Sequence, residues 1–262
     1  MGAGIAQVAA QSGMEVISYD LTEADLKRGK KQITESLNKQ RPNEAEQILE
    51  RITFTTNMAD GHDCELVIEA VPEKIELKKQ VFKQLDEIMN DDAILASNTS
   101  SLSIAAIGSV TKRPEKVVGL HFFSPVPIMK LLEIVESINT SEEVIELSKR
   151  FAEAINKEVI VAKDLPGFTV NRVLVPMMNE AAFLVLEGND PEEIDKGMMI
   201  GANHPVGPLR LADLVGVDVL LFTLESLYEG FNDSKYRPCP ILKRMVEAGH
   251  LGRKAGKGFY NY

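Results

Sequence analysis

Tryptophan is absent from this chain and cysteine nearly so, with Cys64 and Cys239 the two thiols present. They are far apart and fit neither a CxxC nor a metal-ligand spacing, which excludes a disulfide framework and points to reduced thiols in a cytoplasmic protein. The four histidines, His62, His121, His204 and His250, form no zinc pattern, so no metal site is expected. No apolar run approaches the ~20 residues that span a bilayer, and the start MGAGIAQVAAQSG lacks the basic n-region of a secretory signal. Basic residues are the scarcer charge: 29 Lys and Arg against 39 Asp and Glu leave a net charge of −10, which argues against a nucleic-acid partner. What remains is an ordinary globular composition, 44% apolar and 26% charged, long enough for one large domain or two modest ones.

The first ~160 residues alternate short β-rich runs with amphipathic helical ones, the pattern of a mostly parallel, doubly wound sheet. Strands are expected at Glu15–Tyr19, Ile52–Thr55, Glu65–Glu69, Ala93–Ser97, Val117–Leu120, Leu131–Val135 and Glu158–Val161. Helices are expected at Glu23–Lys39, Lys74–Met89 and Ser141–Ile155. Beyond Leu165 the strand pattern stops, and Asn171–Glu187, Pro191–Ile200, Leu209–Glu229 and Ile241–Ala248 have helical periodicity with Gly/Pro punctuation between them. The change of character near Lys163–Gly167 divides the chain into a nucleotide-binding domain, 1–163, and an all-helical domain, 164–262, with a ligand cleft expected between them.

The segment MGAGIAQVAAQSGMEVISYD matches the second part of a dinucleotide-binding unit, in which a glycine-rich turn opens a helix and a second strand ends in an acid. Gly2 opens a helix of small residues, Ala3, Gly4, Ala6, Ala9 and Ala10, able to pack closely on a sheet. Asp20 follows Gly2 by eighteen residues, close to the spacing of a ribose-binding acid. An acid there repels a 2′-phosphate and favours NAD over NADP. Asp20 reads equally as the cap of the helix beginning near Thr22, and the residues alone leave the two even. The first strand and the first two fingerprint glycines do not precede it, so the sheet is expected without that strand. Met1 is then expected to be an internal methionine of a longer natural chain.

Ser97–Glu133 carries the most chemistry. It sets a hydroxyl-rich turn, His121 and Glu133 at the ends of successive apolar runs, with Pro125 and Pro127 between the last two. A histidine moves protons near neutral pH and needs a partner to fix its tautomer; Glu133, twelve residues on, is the candidate. Each element has a plainer reading: His121 as a core residue, Ser97–Ser101 as the N-cap of a Leu102–Ile107 helix, Asn171 as a helix-start polar residue.

Read in order, SNTSSL, HFF-P-P-MKL-E, PGF-VNR, NHP-GPL-L-D and GRK-GKGFY make the chain resemble the 3-hydroxyacyl-CoA dehydrogenases from Gly2 to Tyr262, closest to the short bacterial 3-hydroxybutyryl-CoA enzymes. The resemblance implies an NAD-dependent oxidoreductase of acyl-CoA metabolism, fatty-acid degradation among the pathways that fit. It implies His121 as general base, Glu133 as the carboxylate that orients it, and Ser100 and Asn171 as hydrogen-bonding partners of the reacting oxygen. It implies cofactor contacts at Gly2, Asp20, Glu73, Lys78, Ser124 and Lys254, and a CoA contact at Ser36. Ser124 departs from the family's asparagine in the HFFNP motif, and its contact is expected to be shorter or water-bridged. Lys27, Arg28, Lys30, Lys31, Lys39 and Arg41 cluster where the family binds CoA, although a solvated helix face explains each charge as well. The helical domain is expected to form a homodimer. Arg210 has no functional reading. Two rivals stand: another two-domain hydroxy-acid dehydrogenase, and a non-catalytic relative that keeps the fold.

Overall fold

A computed structural model of residues 1–262 shows two compact units, Met1–Asp164 and Leu165–Tyr262. In the first, α1 (Gly2–Gln11) leads to β1 (Val16–Tyr19), α2 (Glu23–Gln40), α3 (Ala45–Glu50) and β2 (Ile52–Thr55). There follow β3 (Leu66–Glu69), α4 (Ile75–Ile88), β4 (Ile94–Ser97), α5 (Ile104–Gly108), β5 (Val117–Phe122), β6 (Leu131–Glu136), α6 (Glu142–Ala154) and β7 (Glu158–Lys163). Strands β1 and β2 pair in parallel as one sheet, and β3-β4-β5-β6-β7 form another. The strands thus fall into two sheets, with β1 and β3 each at an edge. All pairings are parallel except β5 with β6, which is antiparallel.

The inner strands of the five-stranded sheet, β4, β5 and β6, are buried because helices cover them. Ile5 and Val8 of α1 and Val144, Ile145 and Ala152 of α6 pack with Val118, Leu120, Phe122, Leu132 and Ile134 in one core. The other face of α1, Ala6 and Ala10, meets Ile33 and Leu37 of α2 and Ile48 of α3. The alanine spacing in α1 allows this double burial, since small side chains let helices approach closely. Gly119 shows how tight the middle of the sheet is. A Cβ there would lie 2.7 Å from Val135 Cβ and 2.9 Å from Ile104 Cδ1. Gly119→Ala is expected to cost ~1–3 kcal/mol by overpacking, measured by chemical denaturation.

The second unit is α7 (Val170–Leu186), α8 (Pro191–Gly201), α9 (Pro208–Val215), α10 (Val217–Phe231) and α11 (Pro240–Glu247), followed by a tail. Its core gathers Met178, Ala182, Leu220, Leu224, Leu227 and Leu242. Asp213 accepts from Phe259 N and Tyr260 N at 2.9 Å each and pins the tail to α9. Asp195 accepts from Leu209 N, Arg210 N and the Tyr260 hydroxyl. Burial, and next the Asp195 hydrogen bond, hold the Tyr260 phenol well above its ordinary range. Arg210 lies over the Tyr260 ring at 4.2 Å, so its place is structural, in holding the tail.

Three elements differ from expectation. The Leu209–Glu229 helix is two helices, because Gly216 at φ 108° cannot continue a helix and serves as the joint. The helix expected over Leu102–Ile107 starts at Ile104, capped by Ser103, whose hydroxyl accepts from Ala106 N; the Ser97–Ser101 turn does not cap it. The helix α3 was not anticipated, since six residues are too few to show a period.

Candidate active site

His121 lies within β5 rather than after it, and Glu133 is its register partner across the antiparallel β5–β6 pair. This pairing explains the spacing of twelve: an eight-residue turn, 123–130, reverses the chain and returns Glu133 to His121. Side chains directly opposite on one face of such a pair touch. His121 Nδ1 lies 2.7 Å from Glu133 Oε2, with the histidine 4% and the glutamate 0% exposed. A carboxylate only accepts, so Nδ1 carries the hydrogen and the neutral ring keeps its lone pair at Nε2. The Phe123 ring packs against the imidazole, 4.5 Å between centroids.

Ser100 is positioned by an acid from another element. Glu73 Oε1 accepts from Thr99 Oγ1 at 2.5 Å, Ser100 N at 2.8 Å and Ser101 N at 3.1 Å. Asn98, in the same turn, accepts from Phe122 N through its side-chain oxygen, tying the turn to the strand that carries His121.

Lys78, expected to contact the cofactor, is paired with carboxylates inside the first unit. It is fully buried, and its ammonium donates to both oxygens of Glu69, at 2.8 and 3.0 Å, and to Val71 O at 3.2 Å. It also lies 3.5 Å from Glu73 Oε2. Glu69 further accepts from Ser97 Oγ and Val71 N. Lys78 is thus an internal counter-ion of Glu69 and Glu73. Glu69, Ser97 and Asn98 escaped the sequence reading. The available signal was a charged residue ending the otherwise apolar strand LVIE.

The expected cofactor and CoA residues are distributed as follows. Asp20 is exposed at the end of β1 and accepts from Leu21 N, while Thr22 caps α2; the capping alternative for Asp20 therefore fails. Gly2 opens α1, whose N-cap Met1 makes no side-chain cap bond; Gly4 N donates to Met1 O at 2.9 Å, so the N–H groups of Gly2 and Ala3 are the first-turn donors a phosphate would require. A Cβ on Gly2 would lie 3.8 Å from Ala70, just past the end of β3. Ser36 and Ser124 share one hollow of about 180 Å³ with Gly4, Gln7, Gln32 and Gln40. Gln7 Nε2 is buried on this wall and donates to nothing in the chain. An exposed acid beyond β1, an uncapped helix start and an unpartnered amide fit a bound dinucleotide or acyl-CoA. The basic cluster is partly neutralised, since Arg28 pairs with Asp25 and Arg41 with Glu44. In the second unit, Asn171 lies in the first turn of α7, and Lys254 is exposed with its ammonium on Asp218 at 2.6 and 2.8 Å.

Comparison with known proteins matches two family profiles: "3-hydroxyacyl-CoA dehydrogenase, NAD binding domain" over residues 1–165 and "3-hydroxyacyl-CoA dehydrogenase, C-terminal domain" over 167–262. A probable 3-hydroxybutyryl-CoA dehydrogenase of Deinococcus radiodurans is 47% identical, over 100% of this chain and 96% of that protein. The human mitochondrial hydroxyacyl-coenzyme A dehydrogenase is 40% identical, over 100% and 88%. The crystal structure of (S)-3-hydroxybutyryl-CoA dehydrogenase from Ralstonia eutropha superposes with a TM-score of 0.96 at 42% identity, covering 100% of this chain and 95% of that one.

Proposed function

The chain belongs to the 3-hydroxyacyl-CoA dehydrogenase family and its first unit is an NAD-binding domain; on that premise we propose that it interconverts (S)-3-hydroxybutyryl-CoA and acetoacetyl-CoA. The observation that carries this reading is the buried His121–Glu133 pair, with His121 Nδ1 at 2.7 Å from Glu133 Oε2. Bound NAD supplies the acceptor for the hydride that leaves carbon 3. His121 Nε2 takes the 3-hydroxyl proton as the carbonyl forms, and Glu133 stabilises the imidazolium. In the reverse direction the imidazolium returns the proton to the oxygen. Ser100, held by Glu73, and Asn171 donate to the same oxygen. Asp20 takes the adenosine ribose, with Gly2 and α1 at the phosphates; Glu73 and Lys254 complete the cofactor contacts. Ser124 faces the hollow near the nicotinamide end, and Ser36 contacts CoA.

Homodimerisation through the second unit is part of the proposal. Val173, Ile200 and Leu214 there are 72%, 77% and 59% exposed, a large outlay of apolar surface for a lone chain. A cytoplasmic location accords with two free thiols, one buried and one half-buried.

The test is NADH oxidation at 340 nm with acetoacetyl-CoA, alongside calorimetric titration of NADH and acetoacetyl-CoA and sedimentation of the same preparation. Turnover, binding of both ligands, and kcat/KM for NADPH lower by ~10² because of Asp20 are expected. Sedimentation as a dimer of the 28.9 kDa chain is also expected. Absence of binding and turnover would overturn the reading.

A further inference from the structure

The turn between His121 and Glu133 is poorly equipped to hold itself. Pro125 and Pro127 remove two of its backbone donors. Inside the turn, Ile128 N and Met129 N both go to Pro125 O at 3.0 Å. The carbonyls of Val126 and Met129 receive no bond from the turn itself. Both accept from the ammonium of Lys157, at 2.6 and 2.5 Å. Lys157 belongs to a different stretch of chain, the connection from α6 into β7, and its neighbour Glu158 N donates to Lys130 O at 2.9 Å. Three carbonyls of the turn are thus held by two successive residues.

The placement of Lys157 is not that of a surface lysine. It is half-buried, and loss of solvation pulls its pKa below the ordinary lysine range. Its partners are carbonyl dipoles rather than a carboxylate, so the ammonium is compensated only while the turn keeps its shape. The turn in turn leans on α1: a Cβ on Gly4 would stand 3.0 Å from Val126 Cβ. Ser124, Pro125, Val126, Pro127 and Ile128 form one wall of the hollow that Ser36 and Gln7 face.

We propose that Lys157 is a positioning residue, whose ammonium clamps the Ser124–Met129 turn and so holds one wall of the hollow for the acyl-CoA. The positioning half rests on the substrate reading above; the clamp itself does not. His121 and Glu133 are fixed by the strand pairing on either side, so loosening the turn acts on ligand binding more than on the proton transfer.

The full chain is compared with Lys157→Met, which keeps an apolar stem and removes the donors, and Lys157→Arg, which restores donors. By hydrogen–deuterium exchange, the amides of Ile128 and Met129 are expected to exchange ~10-fold faster in the methionine variant, with β6 and β7 unchanged and the arginine variant close to the parent. Unchanged turn exchange, or acceleration spread over the whole first unit, overturns the clamp. By calorimetry, the dissociation constant for acetoacetyl-CoA is expected to rise ~10-fold in Lys157→Met and to recover in Lys157→Arg, while kcat changes less than about threefold. A dissociation constant that does not move overturns the positioning role. A parent chain that binds no acetoacetyl-CoA overturns the substrate reading instead, and the exchange result still decides the clamp.

Discussion

Replacing His121 by glutamine is expected to lower kcat for acetoacetyl-CoA reduction by ~10²–10⁴, the usual worth of a positioned general acid–base, with KM nearly unchanged. Glutamine is the informative substitute because of where His121 sits. Glu133 is wholly buried, and a substitution that removed the His121 donor would cost it the hydrogen bond at Oε2 and destabilise the sheet. A glutamine amide can still donate to Glu133 but cannot carry a proton to substrate. The circular dichroism spectrum and melting temperature should therefore stay close to the parent's while turnover collapses. Glu133→Gln should also lose activity, because the amide neither insists on a hydrogen at Nδ1 nor stabilises imidazolium. The double variant should be little worse than His121→Gln alone, since two groups that act as one unit cannot be lost twice. Additive losses would mean that the pair does not work as a unit, and an unchanged kcat in His121→Gln would remove it from the mechanism.

The legibility of that pair in the sequence has a physical basis. The distance of twelve residues fits one simple geometry: two strands and a turn, with the partners on the same face. The strand pattern around His121 and Glu133 showed apolar residues on both faces, as a doubly covered strand does, so neither the antiparallel pairing nor the end of β5 could be read from periodicity. The division near Lys163–Gly167 was visible because strand-like runs give way to helical ones; the structure's units meet between Asp164 and Leu165. Polar residues that work inside the protein were harder to see. Glu69, Ser97, Asn98 and Lys157 each act through backbone atoms or partners far away in sequence, and a single sequence carries no signal for such partners. Lys78 is the same difficulty in reverse. Its motif position suggested a cofactor contact, and the hydrogen bonds of its ammonium to Glu69 come only from the fold. Gly216 stood in an uninterrupted helical pattern because one glycine is tolerated in a helix, and the positive φ that breaks it is a tertiary choice.

Lys78→Met is expected to destabilise the first unit by ~3–5 kcal/mol, the cost of leaving a buried carboxylate without its counter-ion. Glu69 would keep Ser97 Oγ and Val71 N as donors but would lose both bonds from the ammonium, in a site where its side chain is 1% exposed. A lysine that only touched cofactor would behave differently: its loss would raise KM for NADH and leave the melting temperature alone. Thermal unfolding followed by circular dichroism therefore separates the two roles. The pairing makes a second demand. Glu69→Gln combined with Lys78→Met removes both charges, and most of the stability should return, because a neutral amide costs far less to bury than a carboxylate. The effect on catalysis should not return with it. Lys78 also lies beside Glu73, which accepts from Ser100 N and sets the turn that presents Ser100. With the ammonium gone, Glu73 loses the nearest positive charge that holds it in place, and the Ser100 turn loosens in the double variant as in the single one. A double variant that regains both stability and kcat would show that Lys78 serves the fold alone. One that regains stability while kcat stays depressed would place Lys78 behind Ser100, as a group that acts on the reacting oxygen through Glu73.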